Sequence, residues 1–525
     1  MLSALTALFL GWWCMPFLAL FFKPFAFVRR ISRSQRADLV CDTHARDSPE
    51  ARRTRIAEGR KRRLNENGYA RATEDQNYYI VKSFIASVNE RAVCALASRL
   101  NQDVPCHVVK RTRGSFNYCL FVEFDDKGKR GEPTRWVVRL PIGHTVDRPW
   151  DKVLSEVTTM RHIQRKTTIP VPRVHAFGRD AGLIRKAATK GDNSSQSPDE
   201  NCDPALRQGF YLQLVDILAQ LRTLEFPRIG SLVPGTDEPG ATATTFVLGP
   251  MLSMSDNILC LPPPPMWTSA AEFMEHESDV VSEFYFDPVG DLDTDTAREE
   301  LVALDGLKAA LRSLVNTVPE GGPFVLSHCD LRSPNIIVDE QLRIQAVIDW
   351  EFTTSIPLTL FTPPSWITGC NDSEENTNPL VHAGFRQALH TRAREDPLYR
   401  KLEIEWYGED AAPDAPISTK SIHRFFIAHI LQKPPEAVDI FYEFLTGDNV
   451  DGLARNTQQQ RKARIAKYLK DHPHVIAKVE DEARRRHDQS RRYRTYLDDN
   501  GIYETLEHRL EGVKRKHEER ERLKT

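Results

Sequence analysis

No paired-cysteine signature is present in this sequence. Its nine cysteines are scattered from Cys14 to Cys370, with neither a CxxC pair nor a Cys/His spacing that would hold zinc. That excludes a zinc-ribbon framework, and it favours reduced thiols over a disulfide scaffold. An excess of one charge sign is lacking too. The 71 Lys and Arg residues nearly balance 73 Asp and Glu, for a net charge of -2. No global field draws the chain to nucleic acid, and no nucleic-acid partner is expected. Internal repeats are absent. Long apolar runs are scarce: Leu2 to Phe22, rich in Leu, Phe, Trp and Ala, is the one uncharged run of bilayer-spanning length.

That run is followed by Lys23, Arg29, Arg30, Arg33 and Arg36 before the first acidic residue, Asp38. It lacks the charged start and small-residue cleavage site of a secretory signal. Pro16 inside it is tolerated better in a membrane helix than in a soluble one. The expectation is a single-pass membrane anchor over 1–22, with the basic flank holding the remainder in the cytosol. A mitochondrial presequence and a mis-called start are the alternatives. A basic linker over 23–80, including Arg60-Lys61-Arg62-Arg63, reads as solvated and disordered, with anionic lipid or a nuclear address as its other uses. Residues 451–525 read as a charged helical tail with solvated faces and no chemistry, Leu506, Leu510 and Val513 falling at helical spacing.

Chemistry concentrates between Phe324 and Phe352. Phe324-Val325-Leu326 reads as a buried strand ending at His328-Cys329-Asp330. Ile336-Ile337-Val338, turned by Asp339-Glu340 into Ile344 to Ile348, reads as a hairpin. Asp330 and Asn335 then sit on the loop before the hairpin, and Asp349 just beyond it. The spacing H-x-D-x-x-x-x-N is that of a kinase catalytic loop. Phosphoryl transfer from ATP needs a carboxylate to orient and deprotonate the attacking hydroxyl, which Asp330 supplies. It also needs hard oxygen ligands for magnesium, which Asn335 and Asp349 supply.

Ile348-Asp349-Trp350-Glu351, in place of D-F-G, resembles the aminoglycoside phosphotransferase (choline-kinase-like) family of small-molecule kinases. Pro363-Pro364-Ser365-Trp366-Ile367-Thr368-Gly369 is similar to the P-P-x-W-L-x-G segment of a subgroup common in fungi. The resemblance implies that His328 braces the loop and Arg332 contacts a phosphate. Cys329, often glycine in the family, is a departure. Upstream, Phe116 to Phe124 and Trp136 to Leu140 read as strands, with Gly114, Ser115 and Asn117 where a phosphate-covering loop belongs. Arg139 takes the place of the phosphate-contacting lysine, and Glu156, on a helix over Asp151 to Gln164, is its expected ion-pair partner. Ile169-Pro170-Val171-Pro172 also looks like the family.

Where the family has an apolar hinge strand, Arg179 to Gln208 is polar. Either an exon was lost from the gene model or the nucleotide site is degenerate. Glu272 to Glu300 is crowded with acidic residues and holds one arginine, Arg298. It reads as a solvated acidic loop, or as a region that concentrates a cationic amine.

The resulting expectation is an α+β, bilobal protein-kinase-like fold, with a small antiparallel sheet lobe over 81–180 and a larger helical lobe over 209–450, joined by a polar linker over 181–208. The N-terminal apolar segment is expected to be a helix. The expected activity is transfer of the γ-phosphate of ATP, with Mg2+, to a hydroxyl of a small molecule such as a cationic amine or amino-alcohol. A membrane-tethered pseudokinase acting as a binding module is the alternative, and a protein kinase the third reading.

Overall fold

The computed structural model describes residues 17–18, 47–127, 133–178, 204–235, 245–315, 321–369, 379–409, 412–445 and 458–503, with 510 and 514. The anchor segment 1–22 lies outside the described residues except at Phe17–Leu18, as do most of the 181–208 linker, Leu506 and Val513.

Strand alternation builds the small lobe. Strands β2 (Cys106–Arg113), β3 (Asn117–Lys127) and β4 (Pro133–Pro141) form an antiparallel meander. Along β3 and β4, Leu120, Val122, Trp136 and Val138 turn into the core. Their neighbours Cys119, Phe121, Val137 and Arg139 line a cleft on the other face, as a two-residue period requires. Helices Glu74–Ser87 (α2) and Glu90–Leu100 (α3) contribute Val81, Val93 and Leu96 to this core. A capping box of Thr73 and Gln76 starts α2. The two-residue strand β1, Phe17–Leu18, runs parallel to β4 at Val137 and Val138. Helix α4 (Pro149–Lys166) then crosses toward the large lobe.

The large lobe has its own, bigger core. Helix α5 (Pro204–Thr223) leads into a three-stranded sheet ordered β11-β8-β5, made of Thr354–Pro357, Phe324–Ser327 and Glu225–Phe226. Two hairpins flank it, β6–β7 (Ser231–Pro234 and Phe246–Gly249) and β9–β10 (Ile336–Val338 and Ile344–Val347). Helices Met254–Ile258 (α6), Ala270–Phe284 (α7), Thr294–Val315 (α8), Pro379–Ala393 (α9), Pro397–Tyr407 (α10) and Thr419–Gln432 (α11) complete the lobe. The 181–208 linker ends early, because 204–208 already belong to α5.

Two charged segments differ from expectation. Part of the supposed basic linker is a helix, α1 (Pro49–Arg63), capped by Ser48 and docked on α7. Arg52 reaches Glu275 at 2.6 Å and Asp279 at 3.1 Å. Arg60 and Arg63 share Glu283, and Arg63 also meets Asp287 at 2.6 Å. The acidic stretch 272–300 is therefore neither a solvated loop nor an open attractor for a cation: these carboxylates are paired with arginines from the opposite end of the chain. Arg60 also stacks on Phe286, 3.2 Å from its centroid. The charged tail is likewise packed between 458 and 500. Helices α12 (Gln458–Asp471) and α13 (Ile476–Asn500) lie on α8 through Arg461–Glu299 (2.8 Å), Arg298–Glu480 (2.7 Å) and Arg486–Glu300 (2.6 Å), and Tyr493 and Leu497 are buried. Among the described residues, no helix is long and apolar enough to cross a membrane.

Candidate active site

The fully buried strand β8 delivers the loop from His328 to Asn335 to the floor of the cleft. His328 Nε2 lies 2.9 Å from the Ile348 carbonyl, and its Nδ1 accepts from the Asp330 backbone N–H at 3.2 Å. A carbonyl only accepts and an N–H only donates, so the ring is neutral with its proton on Nε2. Burial lowers its basicity and favours that form. With its ring 4.6 Å from that of Trp350, His328 ties the loop to the end of β10. Trp366 adds a second brace, donating from Nε1 to the Leu331 carbonyl at 3.0 Å.

Asn335 donates from Nδ2 to the Asp330 carbonyl (2.8 Å) and to Asp330 Oδ2 (3.0 Å). That orientation leaves the Asn335 side-chain oxygen free of Asp330. Asn335 also accepts at its backbone carbonyl from the Ile348 N–H at 2.9 Å, which ties the loop to the end of β10 where Asp349 emerges. Asp349 has φ 67°, in the left-handed region that few residues other than glycine occupy. Strained backbone of this kind persists where surrounding structure enforces it.

Arg139 faces Asp349 from β4. Its Nη1 meets Glu156 Oε1 at 2.8 Å, as the sequence predicts. Its Nη2 meets Asp349 Oδ1 at 2.7 Å and Glu351 Oε2 at 3.0 Å. Burial alone would lower the guanidinium's pKa, yet these three carboxylates raise it well above the usual value. Burial pushes the Asp349 carboxyl up, but the charge and hydrogen bond of Arg139 outweigh it, and Asp349 is held below the ordinary carboxylate range. Glu156 moves the other way, lifted by burial against the pull of Arg139 and Lys152.

Asp330, Arg332, Arg139, Asp349, Gly114 and Ser115 line one cleft of about 680 Å³. Arg332 is half exposed and bound to Asp330 at 2.9 Å. Asn117 lines the same cleft but is mostly buried, donating to Glu351 (2.7 Å) and accepting from Lys152 (3.2 Å), so its amide is also tied into the network beneath the site. Hard oxygen donors on Asp349 and Asn335, one carboxylate and one amide, fit magnesium, which is commonly held by one or two carboxylates completed by substrate phosphates. No cluster of three His, Cys, Asp or Glu suited to a metal occurs among the described residues.

Sequence reasoning missed three residues. Glu351 joins Arg139, Asn117 and Lys152 in one buried network. Lys152 stands one helical turn before Glu156, and that spacing was the available signal. Lys433, just past α11, lines the cleft opposite the small lobe, and nothing in its local sequence marks it.

Residues 121–359 match the profile of the phosphotransferase enzyme family, APH. A curated relative, the clavilactone A biosynthesis cluster protein Y of Ampulloclitocybe clavipes, is 28% identical over 278 residues, covering 50% of this chain and 66% of that protein. Among solved structures, a macrolide 2′-phosphotransferase type I is 12% identical with a TM-score of 0.30, covering 73% of this chain and 98% of that one. A Plasmodium vivax ethanolamine kinase is 13% identical with a TM-score of 0.32, covering 79% and 96%. Both structural likenesses are too distant to bear on the fold. The family match falls on the segment that carries Arg139, Glu156 and the loop from His328 to Asp349, so that segment is similar to the phosphotransferase enzyme family.

Proposed function

We propose that this chain transfers the γ-phosphoryl group of ATP to a hydroxyl of a small molecule. Asp330 accepts the hydroxyl proton as the oxygen attacks phosphorus, and ADP leaves. Asn335 Oδ1 and Asp349 would hold magnesium, which would offset the charge of the phosphates. Arg139 offers a permanently charged fork above them, and Gly114 and Ser115 cover the phosphates. The observation that carries the reading is the meeting of Asp330, Arg139 and Asp349 in one cleft from three separate strands and loops.

One observation favours a second reading, a nucleotide-binding module without turnover. Arg139 holds Asp349 at 2.7 Å, so the proposed phosphate contact and the proposed metal ligand satisfy each other. The two readings separate when the full chain is incubated with Mg–ATP and a mixture of small hydroxyl compounds. Phosphotransfer predicts ADP and, by mass spectrometry, an equal amount of one compound heavier by a phosphoryl group. ATP binding with no ADP would establish the module instead.

We also propose that the uncharged run Leu2 to Phe22 anchors the chain to a membrane, supported by its composition and basic flank, an arrangement in which Phe17–Leu18 leave their pairing with β4. Carbonate extraction tests this. Full-length chain should stay with membranes, and a chain beginning at Arg36 should not.

A further inference from the structure

A second, smaller cavity of about 60 Å³ lies directly behind the catalytic loop. Ser327 and Cys329, the residues leading to Asp330, form one wall, and Met254 lines both this cavity and the main cleft. The remaining wall is largely apolar, with Phe273, Phe352, Ile356, Leu360 and Leu431. Glu277 of α7 is the one charged residue type on it. Its side chain is 5% exposed and makes no hydrogen bond or ion pair to any described residue.

Two neighbours set the state of that carboxyl. His276 lies 3.3 Å from Asp256, and both are buried. Burial lowers the pKa of His276, but the charge of the neighbouring Asp256 raises it above the usual value, with Arg55 opposing. Burial pushes Glu277 up to about 8, with His276 pulling it down and Asp256 pushing it further. A carboxyl buried without an ion-pair partner on an otherwise largely apolar wall is favoured as the neutral acid, able to donate as well as accept. The cationic alternative loses its other support as well, because Glu275, Asp279, Glu283 and Asp287 on the neighbouring turns of α7 and beyond are paired with α1.

We propose that this cavity seats the apolar end of an uncharged hydroxyl acceptor, with Glu277 serving as its hydrogen-bond partner and not as a counter-ion. The proposal rests on the phosphotransfer reading and names the acceptor class for that site. An ammonium group placed here would be stripped of water without a carboxylate to replace it. An alkyl group of the same shape loses nothing, and its apolar surface gains by burial.

Choline and 3,3-dimethyl-1-butanol have the same shape and differ in a charged nitrogen against a neutral carbon. Their binding to the full chain with Mg–ATP can be compared by saturation-transfer NMR and competition, with ADP release recorded in the same samples. The neutral alcohol should bind at least about tenfold more tightly, a gap of about 1.4 kcal/mol. Glu277→Gln, which keeps a neutral donor, should preserve that preference, and Ala428→Phe, which puts a ring into the cavity from another residue of its wall, should remove the signal. Equal binding, tighter choline, no binding of either, or loss of the preference in Glu277→Gln would each overturn the proposal. The wild-type comparison decides the matter even if the Ala428→Phe chain fails to fold. ADP release answers separately: neutral-alcohol binding without any ADP would overturn phosphotransfer and leave the cavity assignment standing.

Discussion

Two charge-rich regions of this molecule behave in opposite ways. At the seam between α1 and α7, Arg52, Arg60 and Arg63 meet Glu275, Asp279, Glu283 and Asp287, and the charges neutralise one another on the outside of the large lobe. Around β4 and the loop after β8, Arg139 is also saturated with carboxylates, but Asp330, Asp349 and Lys433 border a cavity large enough for a nucleotide. Density of charge does not mark a site. Convergence of charge on a cleft does.

The comparison breaks most sharply at Asp330. Asp330→Asn should lower ADP release about 10²- to 10⁴-fold while leaving the melting temperature near that of the wild type, because Asn335 and Arg332 can still hydrogen-bond the amide oxygen. A large fall in melting temperature would place Asp330 with the structural charges. Arg139→Met should lose turnover and stability together. It strands Glu156 and Asp349, while Glu351 keeps Lys152 and Asn117, and breaking a buried pair of this kind costs about 3–5 kcal/mol. Unchanged stability in a denaturant titration would mean those carboxylates are not held as described.

The seam should affect stability alone. Glu283 is 3% exposed on its side chain and serves both Arg60 and Arg63, so Glu283→Gln should cost about 2–3 kcal/mol with ADP release per folded molecule unchanged. Acid should act on the cleft as well. The folded pKa of Asp349 is depressed, so the stability it contributes is present above its unfolded value and is lost as pH falls through the folded one. Asp349→Asn should therefore flatten part of the acid limb of a melting curve against pH. Identical acid limbs would contradict the Arg139 contact. The smallest effect belongs to Glu275, whose side chain is 61% exposed. Glu275→Gln should change stability by less than about 1 kcal/mol, and less still in high salt.

What the sequence made legible follows the same division. His328, Asp330, Asn335 and Asp349 lie on one short stretch, where strand, loop and hairpin fix their geometry locally. Arg139 and Glu156 were legible because a strand and the next helix place them together. The buried contacts of Asn117 were not, because its partners Glu351 and Lys152 lie on separate segments that only folding brings together. The seam was illegible for a stronger reason. Arg63 and Glu283 are 220 residues apart, and each segment alone has the composition of a solvated one. Only folding reveals that each is the other's partner.

Calorimetric titration of ATP into the full chain, with and without Mg2+, tests the central claim most directly. The account predicts that Mg2+ strengthens binding and that Asp349→Asn removes the strengthening while leaving Mg2+-free binding in place. Equal affinity with and without Mg2+ in the wild type, or no ATP binding at all, would contradict it.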